Sequence, residues 1–327
     1  MLVANSAPYA LQTPHSLALR FICSLAAPLF IFLSGYSFYF SSQQKSDTYK
    51  KIRNAFYLIL TAVFIDAIIW GIAPFQTFDV LYTISAGIIF NVLIRRFNWV
   101  TKSLLALVII FVAVLLRNNF GYDFPMQEAS LDAYLHGEVD SFFIVKRWLV
   151  DGWFPVFPWI SLAIAGAVVA EQEQNLFKLR KFLLPFTAIL FGVTASYVLF
   201  YRVLPPERDG YLELFYPATL SVTIMAISFS MLNFLLLSFF FPDNYSSNNL
   251  SRFNAPGRHS LLVYILHGAV IHYFFELYLN EYSGVGFSLT MLVFFLFFYL
   301  LILGRETERV QKSISVLPEF IRKIFGI

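Results

Sequence analysis

Apolar positions along this chain gather into long blocks separated by short polar stretches. The blocks run over roughly 17–40, 54–72, 79–94, 101–117, 154–171, 182–203, 214–241, 259–278 and 285–304. A helix crosses the hydrocarbon core of a bilayer with about 17–25 such residues. The pattern therefore predicts nine spans, of which 79–94 is the shortest. Most connections are short, as in a packed bundle, and no soluble domain, low-complexity tract or repeat breaks the series. The expected fold class is all-α: a polytopic transmembrane helical bundle, one domain over residues 1–327.

The opening stretch does not fit the series. MLVANSAPYALQTPHSLALRF begins with LVANSAPYA, which is apolar but too short to span. It has no basic leader and no apolar core long enough for a signal peptide. Its pattern is that of the outer end of a helix whose inner half is missing. The sequence thus predicts about nine full spans plus a truncated first helix.

Composition supports a membrane protein. Hydrophobic residues make up 58% of the chain and charged residues 13%, with a mean hydropathy of +0.69. A soluble domain carries about 25% charged residues, and no soluble core of this length hides so much apolar surface. The one cysteine, Cys23, excludes an intrachain disulfide. The net charge of +3 is less informative than its distribution. Segments 41–53, 95–102, 172–181, 242–258 and 305–327 hold 17 of the 23 basic residues. Basic loops stay on the cytoplasmic side, so these segments, including the tail 305–327, are expected inside. His15 and the loops 73–79, 118–153 and 202–213 are expected outside. The expected setting is a membrane crossed several times, with the lipid bilayer as a partner and no nucleic acid.

The outer loop 118–153 is long for a bundle connection. It carries Asp123, Glu128, Asp132, His136, Glu138, Asp140, Lys146, Arg147 and Asp151, with Trp148 and Trp153 expected at the membrane edge. Two readings stand side by side: a lid or binding surface, and an amphipathic helix lying on the interface.

Polar groups inside a membrane cost several kcal/mol each without a partner, about the size of a lost hydrogen bond or more. Asp66, Asp79, Asn91, His259, His267, His272 and Glu276 fall within or at the ends of the apolar runs, and Asn5, His15 and Arg20 at the outer edge. The densest polar stretch is GRHSLLVYILHGAVIHYFF at 257–275. Ser260, Tyr264 and His267 stand at i, i+4 and i+7, on one helical face. Such a face suits a polar ligand or a proton path, although Ser260 and Tyr264 alone also fit simple helix-to-helix hydrogen bonding. His267 and His272 are five apart, which does not suit a shared metal, and no metal site is expected. There is no Gly-x-Ser-x-Gly, metal-type cluster or Walker motif.

At these residues the chain resembles a known family. The opening stretch through Gly35, with Asn5, His15 and Pro28, looks like the start of the heparan-alpha-glucosaminide N-acetyltransferase family and its bacterial relatives. FDVLYTISAGIIF at 78–90, WFPVFPWISLAIAGAVVAE at 153–171 and GRHSLLVYILHGAV at 257–270 are similar to later segments of that family, in the same order. The resemblance implies transfer of an acetyl group from acetyl-CoA to a sugar or glycan amine or hydroxyl across the membrane. It also implies a central role for His15, assisted by Asn5.

Elementary chemistry runs parallel. Acyl transfer needs a base for the acceptor's proton and a donor for the tetrahedral oxyanion. A histidine can serve as base or acyl carrier near neutral pH, and an asparagine amide can face the oxyanion. Taken alone, His15 also fits an ordinary exposed loop histidine. Asp79 and Arg20 are the acceptor-binding candidates, and Ser260, Tyr264 and His267 are expected to line a path for acetyl-CoA. Two other readings remain at this point. One is a proton-coupled transporter or glycan or lipid flippase using Asp66, Asp79 and His267. The other is a catalytically inactive relative. A homodimer is left open.

Overall fold

The computed structural model describes residues 2–12, 14–43, 48–121, 129–138, 141–201, 212–216, 218–240, 255–275 and 282–327. The described chain is helical. In order, α1 is Leu2–Ala10, α2 Leu17–Cys23, α3 Ala26–Gln43, α4 Thr48–Phe64, α5 Val80–Leu93 and α6 Trp99–Phe120. Then come α7 Leu131–Leu135, α8 Ser141–Lys146, α9 Val156–Glu171, α10 Glu173–Ser196 and α11 Leu220–Phe240. The remainder are α12 Ala255–Arg258, α13 Ser260–Val270, α14 Gly284–Arg305, α15 Glu308–Ser315 and α16 Glu319–Ile324. Four helices close in a wider π-type turn: Ile65–Trp70 after α4, Arg147–Asp151 after α8, Tyr197–Tyr201 after α10 and Ile271–Phe275 after α13.

Side chains set several starts. Asp79 Oδ1 accepts from Val80 N at 2.6 Å, and Asn98 Oδ1 accepts from Thr101 N at 2.9 Å. Each satisfies one of the backbone donors that a helix start leaves open. Exposed rows show which faces meet lipid. On α10, Phe182, Phe186, Ile189 and Val193 recur at helical spacing and are all more than 60% exposed.

Among the described residues, six helical segments are long and apolar enough to cross a membrane: Leu17–Gln43, Thr48–Trp70, Trp99–Phe120, Glu173–Tyr201, Leu220–Phe240 and Gly284–Arg305. Phe142–Asp151 and Val156–Glu171, bent by 45° at their break, make a seventh if counted as one span. Val80–Leu93 and Ser260–Phe275 are shorter. Of the nine spans expected from sequence, length among the described residues accounts for six, or seven with the bent pair. With 14 residues, α5 is only about 21 Å long, short of a hydrocarbon core of about 30 Å. The loop before it does not sit in water either: Gln76, Thr77 and Phe78 are buried.

The centre of the bundle is a close crossing of α3 and α9. A Cβ added at Gly35 would fall 1.8 Å from the Ala163 carbonyl oxygen, and one at Gly166 would fall 1.9 Å from the Phe32 oxygen. Without a side chain at either position the two backbones touch, the usual device where lipid supplies no hydrophobic drive between helices. Asn91 Nδ2 ties α5 to this crossing through the Ala163 oxygen at 3.4 Å. Lys102 on α6 pairs with Glu171 at the end of α9.

Loops between the helices form a packed aromatic layer at one end. Trp153 N donates to Thr77 O at 2.7 Å and Phe154 N to Phe78 O at 3.0 Å. Trp153 lies edge-on to Tyr216 at 4.6 Å, and Phe215 packs against Trp159 at 5.0 Å. Trp153 is 2% exposed, so its ring packs inside the protein. Trp148 stays partly open and donates its indole N–H to Phe75 O at 3.0 Å. The segment expected as an extended loop over 118–153 is helical for much of its described length, and Ala73 N and Leu131 N bond it to the 71–76 loop. Asp123, Glu128 and Asp140 lie outside the described residues.

At the opposite end, part of the C-terminal tail packs into the bundle. Thr61 Oγ1 donates to Ile324 O at 2.7 Å, and Phe325 meets Phe64 edge-on at 5.2 Å.

Candidate active site

Two packing units meet where the polar residues gather. The larger apolar cluster is built around Ile31, Ile65, Leu81, Leu162 and Phe215. A smaller one joins α1 to the end of α13 through Ala4, Ala7, Ala10, Ile271, Phe275 and Phe287. Helix α1 is held in place by a strand-like pair of bonds: Tyr282 N to Ala10 O at 2.9 Å and Gln12 N to Tyr282 O at 3.2 Å. That pairing turns one face of α1 toward α13 and brings Asn5 against His267.

Asn5 Nδ2 lies 2.8 Å from His267 Nε2. The other ring nitrogen, Nδ1, lies 3.1 Å from the Val263 carbonyl oxygen. A carbonyl oxygen can only accept, so Nδ1 carries the hydrogen and Nε2 accepts from the Asn5 amide. The amide then keeps its second N–H for another acceptor. One turn back on α13, Tyr264 meets the His267 ring at a centroid distance of 5.0 Å, and its hydroxyl donates to Asp79 Oδ2. The same Asp79 caps α5 through its other oxygen. Asn5, His267, Tyr264 and Asp79 thus form one connected polar row from α1 through α13 to the head of α5.

His15 is 8% exposed. It is not the exposed loop histidine outside the packed bundle that the sequence allowed. Its Nε2 lies 3.2 Å from the Ala7 carbonyl oxygen, on the same short helix as Asn5. By the same acceptor argument Nε2 carries the hydrogen, which makes Nδ1 the basic nitrogen of the neutral ring.

Arg20 is buried and donates Nε to Leu212 O at 2.9 Å. It holds the backbone of the 212–216 segment beside the site. Ser260 starts α13 and is exposed, whereas Tyr264 and His267 face inward. The residues expected to divide into catalytic and cofactor-lining sets therefore meet directly at Asn5 and His267.

The other polar candidates have structural neighbours. Asp66 accepts from Tyr82 at 2.6 Å and from Thr77 at 3.4 Å. Asn91 donates to Gly87 O at 3.0 Å. His259 lies 2.9 Å from Arg305 Nη1 at the other end of the bundle, and His272 lies edge-on to Trp70 at 5.6 Å. Glu276 lies outside the described residues. Among the described residues, no three His, Cys, Asp or Glu side chains come together as a metal site.

One residue beside the site was not a sequence candidate. Glu213, in the segment between α10 and α11, is 8% exposed. Burial pushes its carboxyl up to about 7, and the Asp79 charge adds to the shift. The only hint in the sequence is an acid set among Tyr211, Leu212, Leu214, Phe215 and Tyr216.

Residues 5–204 match the family model described as heparan-alpha-glucosaminide N-acetyltransferase, catalytic. The match covers more than half of the chain and begins at Asn5. No curated protein and no solved structure matches significantly.

Proposed function

The chain belongs to the heparan-alpha-glucosaminide N-acetyltransferase catalytic family, a family of membrane acetyltransferases, and we propose that it carries acetyl groups from cytoplasmic acetyl-CoA to a sugar or glycan on the outer face of a bacterial inner membrane. The observation that carries this reading is the Asn5–His267 hydrogen bond continued by Tyr264 and Asp79. It assembles an oxyanion donor, a fixed neutral imidazole and a carboxylate at the seam of two packing units, within reach of helices that cross the membrane.

In this reading His15 takes the acceptor's proton or carries the acetyl group itself. Asn5 offers its second amide N–H to the oxyanion while His267 fixes the amide plane. Asp79 and Arg20 serve the acceptor side, Asp79 by direct contact and Arg20 by holding the 212–216 backbone. Tyr264 and His267 line the approach of the thioester, with Ser260 further along the same helix. The distribution of Lys and Arg along the chain supports entry of the anionic donor from the basic end.

The test is transfer of labelled acetyl from acetyl-CoA to an α-linked glucosaminide by membranes containing the protein. Labelled acceptor is expected, with product on the side opposite the donor in sealed vesicles. Hydrolysis of acetyl-CoA without acceptor labelling, or no turnover, would overturn the reading.

A further inference from the structure

The roles assigned above leave a buried carboxyl unused at the edge of the site. Glu213 Oε2 has no hydrogen-bond partner among the described residues, and the side chain is 8% exposed. A bare buried carboxylate oxygen costs free energy unless something arrives to bind it. The backbone on both sides of Glu213 is fixed. Arg20 Nε donates to Leu212 O at 2.9 Å, Leu214 N donates to Ser24 Oγ at 2.7 Å, and Ser24 Oγ donates in turn to Arg20 O at 2.7 Å. Leu212, Leu214 and Phe215 are each 1% exposed. The carboxyl is therefore placed by α2 and cannot swing out to water without unpacking its neighbours.

The charges that bear on it are those of the amino terminus, which lowers its carboxyl, and of Asp79 before α5, which raises it; Tyr264 on α13 and Cys23 on α2 feel the Glu213 charge in turn. Arg20, also on α2, engages the adjoining carbonyl. Asp79 and Tyr264 both belong to the polar row of the site. Two carboxyls therefore act on the site, one held by a hydroxyl and a backbone N–H and one with an open oxygen. That arrangement suits a cation with several N–H donors.

Resting on the acetyltransferase reading, we propose that Glu213 binds the protonated amine of the acceptor and takes its proton before transfer. The acceptor enters as R–NH3+, and one proton passes to the Glu213 carboxylate, leaving R–NH2 with its lone pair. The nitrogen bonds to the acetyl carbonyl carbon, the C–S bond breaks, and the sulfur leaves with the bonding electrons. The surplus proton on nitrogen passes through His15 to that sulfur, giving the amide and the thiol. The proton on Glu213 returns to solvent. A carboxyl that ionises near 7 matches this exchange at neutral pH, where a base works best with its pKa near the working pH.

The test uses the full chain in membranes, two acceptors and the Glu213→Gln variant. One acceptor is a glucosaminide, whose amine is largely protonated at neutral pH. The other is a hydrazide, which is not. For wild type with the glucosaminide, kcat/KM is expected to rise with pH to a break near 7. Glu213→Gln is expected to lose about 10²-fold or more with that acceptor and to lose the break, while transfer to the hydrazide stays within a few-fold. Glu213→Asp is expected to recover part of the glucosaminide rate. Equal loss with both acceptors would assign Glu213 a structural role, and no loss with either would remove it from the site; each overturns the inference. Absence of transfer by wild type to both acceptors overturns the acetyltransferase reading and this inference with it.

Discussion

Charges at the two ends of the bundle are handled differently. At the basic end they meet opposite charges. Lys102 pairs with Glu171, Arg53 with Glu319 at 3.0 Å, and Arg258 with Glu306 at 2.6 Å. At the site, Asp79 is held by a tyrosine hydroxyl and a backbone N–H, and one oxygen of Glu213 has no partner among the described residues. The difference does not come from depth alone. Asp151 is fully buried near the same end, yet it has Lys146 at 3.4 Å and Arg147 at 3.8 Å. A carboxylate beside a cation stays ionised, whereas one shut away from water by burial, with a second acid adding to the shift, changes protonation state near neutrality. Paired charges fasten helices, and unpaired ones remain available to a substrate.

The largest expected effects lie at His15 and in the polar row. His15→Gln is expected to lower acetyl transfer by about 10²–10⁴-fold, the usual contribution of a general base. Glutamine is the better variant because it can still donate to Ala7 O, whereas alanine leaves that carbonyl only its bond from Leu11 N and empties a buried position. Asn5→Ala is expected to cost about 10²–10³-fold, as for the loss of one oxyanion donor. Detergent melting curves should move little for His15→Gln. Near-normal transfer by His15→Gln would place the base elsewhere and reduce the contrast between the two ends to one of packing.

The contrast also marks what could be seen in the sequence. Tyr264 and His267 were visible together because helical spacing puts them on one side, although Ser260, assigned to the same face, is exposed. Asn5 and His15 stood out as polar groups at the edge of an apolar run, and the family resemblance gave them roles. Their partners were not visible. Asn5 and His267 are 262 positions apart, and hydropathy carries no information about which helices touch. Glu213 resembled an ordinary loop acid because nothing local signals that Arg20 and Ser24 draw its segment inward. The span count was legible only in part for a related reason. Hydropathy separates water from everything else, so a short helix such as Val80–Leu93, buried by its neighbours, scores like one that crosses lipid. Gly35 and Gly166 looked like features of single helices, and only the crossing of α3 and α9 explains both.

A middle-sized effect is expected at Lys102. Its side chain is 7% exposed and that of Glu171 is 19% exposed. Lys102→Met leaves Glu171 mostly buried without its cation. Breaking a fully buried pair from one side costs about 3–5 kcal/mol, and the remaining exposure of Glu171 brings the expected loss to roughly 2 kcal/mol. Thermal melting in detergent should show it, while kcat per folded molecule stays unchanged. A loss of turnover without a loss of stability would mean that the paired end also serves the reaction, and the division between the ends would fail.

The smallest effect is expected at the exposed pair Arg258–Glu306. The Arg258 guanidinium donates to Glu306 and holds its carboxyl below the usual glutamate range. A carboxyl lowered in the folded state adds stability above its unfolded pKa, about 4.3, and loses it as pH falls through the lower folded value. The contribution is therefore fully present at neutral pH and fades in acid. Water screens the pair, since Arg258 is 46% exposed, so Arg258→Ala should cost less than about 1 kcal/mol at pH 7. Melting temperatures of variant and wild type should converge as pH drops below about 4, and also as salt is raised at neutral pH. Glu213 should respond in the opposite sense. Its carboxyl is raised in the folded state, so the stability it carries is complete below the unfolded value and is lost as pH climbs through about 7. If melting curves of Arg258→Ala and Glu213→Gln depart from wild type in the same pH range, the two ends do not differ in how they treat a carboxylate.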